Sequence, residues 1–149
     1  MKHPKLALTF FVILFLIIFA KYQSDKTKKA ENNKLLSNNI KFTGKIKSIT
    51  ISNNHCFAII LVDILQTNVD SFNSDLKDQF FPYAIKNGQA EIYTTICNET
   101  KPSIGTTIKL NSDRRKLILE KNKKMTETKI YLSSEKPNIK FIKENTKLK

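Results

Sequence analysis

Residues 83–96, Tyr-Ala-Ile-Lys-Asn-Gly-Gln-Ala-Glu-Ile-Tyr-Thr-Thr-Ile, are the stretch whose reading decides the fold. Asn87-Gly88 is the dipeptide preferred in a two-residue type I′ turn, where both central residues need positive φ. Closing the hairpin there pairs Ile85 with Ala90 and Tyr83 with Ile92. Tyr83, Ile85, Ala90, Ile92, Thr94 and Ile96 then share one face, because side chains alternate along a strand. A hairpin so marked predicts antiparallel β structure on both sides of it.

On its N-terminal side, residues 67–82 predict about two turns of helix. Asn73 or Ser74 serves as cap, Asp75 suits the first turn, Leu76 and Phe80 lie four apart, and Pro82 stops the segment. Residues 55–66, HCFAIILVDILQ, predict a central strand: one face carries Cys56, Ala58, Ile60, Val62 and Ile64 without a break. Residues 40–51 predict a first strand whose phase changes between Ile46 and Ile49, which calls for a bulge near Lys47-Ser48. On the C-terminal side, residues 104–110, 114–120, 126–132 and 139–142 predict further strands. About seven short strands with one short helix predict an all-β class, a small barrel or sandwich over residues 40–149.

The opening strand F-T-G-K-I-K-S-I (42–49) and the later I-G-T-T-I-K (104–109) follow a basic N-terminus and one apolar helix. In that combination the chain resembles uncharacterised small membrane-anchored β-barrel proteins of AT-rich Bacteroidota, over most of its length. The resemblance implies an anchored barrel and no activity. The order of bulged strand, hairpin and glycine-opened strand is also similar to oligonucleotide/oligosaccharide-binding barrels, at the level of fold.

Leu6 to Ala20, LALTFFVILFLIIFA, has Thr9 as its only polar member, with Lys2 and Lys5 before it and Lys21 behind it. As a helix these fifteen residues rise about 22 Å, short of a hydrocarbon layer of roughly 30 Å. Lysine stems that snorkel to the interface extend the reach. A cleaved signal peptide needs small residues at −3 and −1. Cutting after Ala20 puts Ile18 at −3, and cutting after Ser24 puts Tyr22 there. The expectation is an uncleaved single-pass N-terminal transmembrane helix (residues 1–22), a signal-anchor whose partner is membrane lipid. A polar linker or frayed helix extension follows at 23–39. Export of the domain to the extracytoplasmic side is favoured over the literal positive-inside count, and secretion after signal cleavage is the alternative.

The net charge of +13 belongs to the two ends of the chain. Residues 1–40 carry seven Lys against two acids, 41–108 carry six against six, and 109–149 carry thirteen Lys and Arg against five. Arg114, Arg115 and Lys116, with Lys121, Lys123 and Lys124 in the next turn, are the candidate binding residues. If 114–120 pairs with 126–132, they sit at opposite ends of one hairpin. Anionic lipid headgroups attract such residues by about 1 kcal/mol each. Nucleic acid would need stacking aromatics between them, for which Tyr131 and Phe141 are available.

Catalytic chemistry is thinly supplied. His55 is the one histidine beyond the apolar segment, and in a strand its side chain would point away from that of Cys56. Zinc needs four ligands, and His55, Cys56 and Cys97 give three, so no metal or cofactor is expected. Three glycines provide no phosphate-cradling loop. Asp70, Asp75 and Asp78 read as caps, and Asn98-Glu99-Thr100 is a sequon that a bacterial source would leave unused. A Cys56–Cys97 disulfide would close about 40 residues and stabilise an exported domain by roughly 4 kcal/mol. Strand parity opposes it, because Cys97 falls opposite to the core face, and only a break of strand geometry would bring the two together. The function expected is a non-enzymatic, membrane-anchored β-domain that binds or scaffolds; the alternative is a barrel binding single-stranded nucleic acid.

Overall fold

The computed structural model describes residues 4–97 and 102–148, with side chains described from residue 10 onward. The sequon at 98–100, Lys2 and His3 lie outside the described residues, and so does the side chain of Lys5. The element order is α1 (Pro4–Leu36), β1 (Lys41–Ile51), β2 (Phe57–Thr67), β3 (Tyr83–Lys86), β4 (Gln89–Thr95), β5 (Thr107–Asn111), β6 (Lys116–Lys121), β7 (Lys124–Lys129) and α2 (Lys136–Asn145). The chain divides into two compact units, Met1–Leu35 and Leu36–Lys149.

In the first unit, α1 is one continuous helix through the segment read as a linker. Among the described residues no helix is long and apolar enough to cross a membrane. The helix is long, but its apolar part ends at Lys21, and Asp25, Lys26, Lys28 and Lys29 follow. The expectation of a transmembrane helix is corrected accordingly: the helix is present, and its apolar portion is short of a bilayer's thickness.

The second unit is built on one antiparallel sheet in the order β3-β4-β2-β1-β5-β6-β7. The sheet is open, not a closed barrel and not a sandwich of two sheets. Its outermost strands, β3 and β7, are not paired with one another. Among the described residues, the bridge between their flanks runs from Phe80 to Ser133, with N–H···O distances of 2.9 and 2.8 Å.

The hairpin is as expected, with Ile85 opposite Ala90 and Tyr83 opposite Ile92. Asn87 (φ 52°) and Gly88 (φ 74°) both take the left-handed conformation that a type I′ turn demands. β1 is bulged where its phase changes, between Ile46 and Ser48, and shifts register a second time between Thr43 and Gly44. Gly44 permits that close approach: a Cβ there would overlap Val62 Cγ1 and come within 2.5 Å of the Asp63 carbonyl oxygen. β5 begins at Thr107 and not at residue 104, because Gly105 turns the chain at φ 82° and its N–H donates to Ile46 O at 2.8 Å.

Two further expectations fail. Residues 67–82 form no helix. The Asn73 side chain accepts the Asp75 N–H at 3.0 Å, an Asx turn that competes with helical bonding. Phe72 and Phe80 are held in β-bridges to Ile85 and Ser133. Residues 139–142 form no strand but lie in α2, where Pro137 stands in the first turn and Ile139 and Ile142 lie three apart on one face. Among the described residues, the short helix of this unit is therefore α2, which follows the last strand.

β2 explains why a helix is needed there. Ala58, Ile60 and Val62 face the main core with Ile46, Tyr83, Ile92, Ile108 and Leu117. Phe57 and Ile59 face the other way, with Ala84 and Tyr93 from the hairpin, and Ile142 of α2 covers them. A strand apolar on both faces must be buried on both.

Candidate functional site

The second face of the sheet carries the least expected residue in the molecule. Glu91 lies in β4 opposite Leu61 of β2, on the side that α2 covers, and is fully buried. Burying a carboxyl group is costly unless hydrogen bonds replace its water. Here three donors do so. Tyr93 Oη donates to Glu91 Oε2 at 3.0 Å, the Thr146 hydroxyl donates to the same oxygen, and Lys147 N–H donates to Oε1 at 2.7 Å. Thr146 and Lys147 stand just beyond the end of α2, so Glu91 latches the helix to the sheet.

Beside this latch is an open cleft of about 490 Å³, with Phe72, Ser74, Phe80 and Tyr93 in its wall and Lys86 and Lys143 among its lining. The Tyr93 hydroxyl is its polar centre, in hydrogen-bond contact with Ser74 and Thr146 as well as Glu91. Burial pushes the Tyr93 phenol up to about 12, and the neighbouring Glu91 adds to the rise. At neutral pH this phenol is a hydrogen-bond donor and not a base. With aromatic walls, four hydroxyls, two amines and the Asp75 carboxylate, the cleft can hold a small polar group. No residue lining it is a histidine or a cysteine.

The basic residues singled out in the sequence do not converge. Arg114 and Arg115 lie in the β5–β6 turn, where Arg115 has φ 54°, and Lys116 opens β6. Lys121 closes β6, Lys123 lies in the β6–β7 turn with φ 65°, and Lys124 opens β7. The two groups stand at opposite ends of the six-residue strand β6, about 20 Å apart by strand rise. Lys116 is paired with Glu127 at 2.7 Å. Of the two aromatics that could stack a base, Tyr131 is 67% exposed but Phe141 packs edge-on against Phe57, with ring centroids 6.2 Å apart.

Cys56 and Cys97 both stand in the thiol form, one half-buried and one exposed. Contrary to the parity expectation, they are neighbours: Ile96 N–H donates to Cys56 O at 2.9 Å, and the nearby Cys56 pushes the Cys97 thiol up. Cys56 precedes β2 rather than lying within it, so strand alternation does not govern it. Among the described residues no three His, Cys, Asp or Glu side chains gather as a metal site.

Glu91 went unnoticed because a glutamate in an alternating hairpin reads as a solvent-facing residue. The signal was in its neighbours. Phe57, Ile59 and Leu61 make the outer face of β2 apolar, so any strand beside β2 must bury its outer residues too. Comparison with protein-family models, curated proteins and solved structures finds no match.

Proposed function

We propose that this chain is a membrane-anchored, non-enzymatic β-domain that works by binding at a membrane surface. The observation that carries the reading is a run of ten consecutive apolar residues of α1, Phe10 to Phe19, each between 42% and 67% exposed. A helix apolar on every side has no face suited to water and is stable where its whole circumference meets hydrocarbon. Lys21, one residue beyond the run, provides an amine that can reach the headgroups from a shallow position. The cleft beside Tyr93, lined by Lys86, Lys143 and Asp75, gives the folded unit a place to receive a small polar group.

Flotation of the full-length protein with phosphatidylcholine vesicles tests the anchor. The chain is expected to rise with the vesicles and to resist both 1 M salt and alkaline carbonate. Ile13→Lys with Ile17→Lys places two charges in the apolar run at about 3 kcal/mol each and should abolish flotation. Recovery of wild type in the bottom fraction would remove the anchor. Flotation only with anionic lipid, reversed by salt, would assign attachment to the lysines instead. Salt-steep binding of oligonucleotides by the full chain would favour the nucleic-acid reading.

A further inference from the structure

At one end of the sheet, β2 begins and β4 ends side by side. Phe57 is paired with Thr95, and one step further Ile96 N–H donates to Cys56 O at 2.9 Å. This pairing fixes the backbone of Cys56 beside the residue that precedes Cys97. His55 (φ 44°) and Cys56 (φ 58°) are consecutive left-handed residues, a conformation that L-residues rarely adopt. The surroundings hold them there: Phe57 N–H donates to Asn54 O at 2.9 Å, and Ser52 N–H donates to Phe57 O at 2.7 Å. The left-handed step turns Cys56 out of the core alternation, and the Cys56 neighbour pushes the Cys97 thiol up.

We propose that Cys56 and Cys97 form a built dithiol site that a disulfide-class oxidant, a small-molecule disulfide or a disulfide oxidoreductase, converts to an intrachain disulfide. Cys97 is the exposed member and meets the oxidant first. Its thiolate attacks one sulfur of the oxidant's disulfide, whose S–S bond breaks, and one thiolate leaves and takes up the proton Cys97 gave up. The Cys56 thiolate then attacks the Cys97 sulfur of the mixed disulfide. The second thiol of the oxidant leaves with the proton from Cys56. Two electrons pass from the pair to the oxidant, and no other reactant is required. The loop so closed contains all of β2 and the β3–β4 hairpin, so oxidation ties together the half of the sheet that carries Glu91 and the cleft. The site stands on its own geometry and does not depend on the lipid reading.

The test uses the full-length chain in detergent, fully reduced and then exposed to oxidised glutathione. Intact mass is expected to show loss of two hydrogens, and peptide mapping a link between Cys56 and Cys97. The folded chain should form the link roughly tenfold faster than the chain in 8 M urea, because the fold holds the thiols at high effective concentration. Oxidation should raise the melting temperature by roughly 10 °C. Cys56→Ser should stop at a stable glutathione adduct on Cys97. A wild-type protein that accumulates glutathione adducts or intermolecular dimers, or that links no faster folded than unfolded, would overturn the proposal.

Discussion

Glu91 is the residue on which the covered face of the sheet turns. Its oxygens accept from Tyr93, Thr146 and the Lys147 backbone, so removing them strands three donors at once. Glu91→Ala is therefore expected to cost about 2–4 kcal/mol, measured by urea denaturation. Amide exchange should locate the damage in residues 136–146, and a loss spread evenly over the sheet would contradict the latch. Glu91→Gln keeps an acceptor oxygen for Lys147 and should cost less than half as much. The two buried tyrosines make a second prediction. Burial pushes both Tyr83 and Tyr93 up to about 12 from an ordinary 10.0. Each holds its proton more tightly folded than unfolded, so its stabilising contribution is complete below pH 10 and is lost as pH rises through 12. Urea midpoints should stay flat from pH 7 to 9 and fall between pH 10 and 12. The Tyr83→Phe, Tyr93→Phe double variant should fall less steeply, and equal slopes would mean the phenols are not responsible.

Two glycines separate two kinds of backbone demand at the scale of elements. Gly88 sits in open space at φ 74°, so a side chain there meets only torsional strain. Gly44 lies in β1 against Val62 and the Asp63 carbonyl, so even a methyl group meets fixed backbone. Gly88→Val should cost about 1–2 kcal/mol and Gly44→Ala about 2–3 kcal/mol. Melting temperatures of the two variants check the order, and a milder Gly44→Ala would place the β1–β2 register in error. α2 is an element defined by what it covers. Ile142 is its fully buried residue, while Phe141 packs edge-on against Phe57.

At the scale of the whole molecule, the boundary of the folded unit lies earlier than the first strand. Leu36 is 2% exposed and belongs to the main core. Asn38 accepts the Tyr83 hydroxyl at 2.7 Å, Asn39 N–H donates to Asp113 Oδ1 at 2.9 Å, and Ile40 N–H donates to Ser112 Oγ at 2.8 Å. A chain beginning at residue 36 should keep these contacts, whereas one beginning at 40 loses a buried leucine worth about 2–3 kcal/mol. The shorter chain should melt roughly 10 °C lower in calorimetry. Equal melting temperatures would show that residues 36–39 only decorate the domain.

By itself the sequence determined the features that local chemistry controls. Asn87-Gly88 set the turn and hence the register of β3 on β4, because few dipeptides accept two successive positive φ values. The phase change between Ile46 and Ile49 located one bulge, because period-2 alternation cannot slip without an extra residue. The placing of the basic residues at opposite ends of β6 also followed from spacing. Only the tertiary structure decided the rest. The apolar pattern of residues 139–142 suits a strand or a helix, and the uncovered outer face of β2 selected the helix. The segment 67–82 has caps for a helix, yet its aromatic residues are claimed by bridges to Ile85 and Ser133. Glu91 became a buried latch, and Cys56 and Cys97 became neighbours, through pairings between strands far apart in sequence. Such pairings depend on which surfaces remain unburied once every strand is in place, and no local window contains that information.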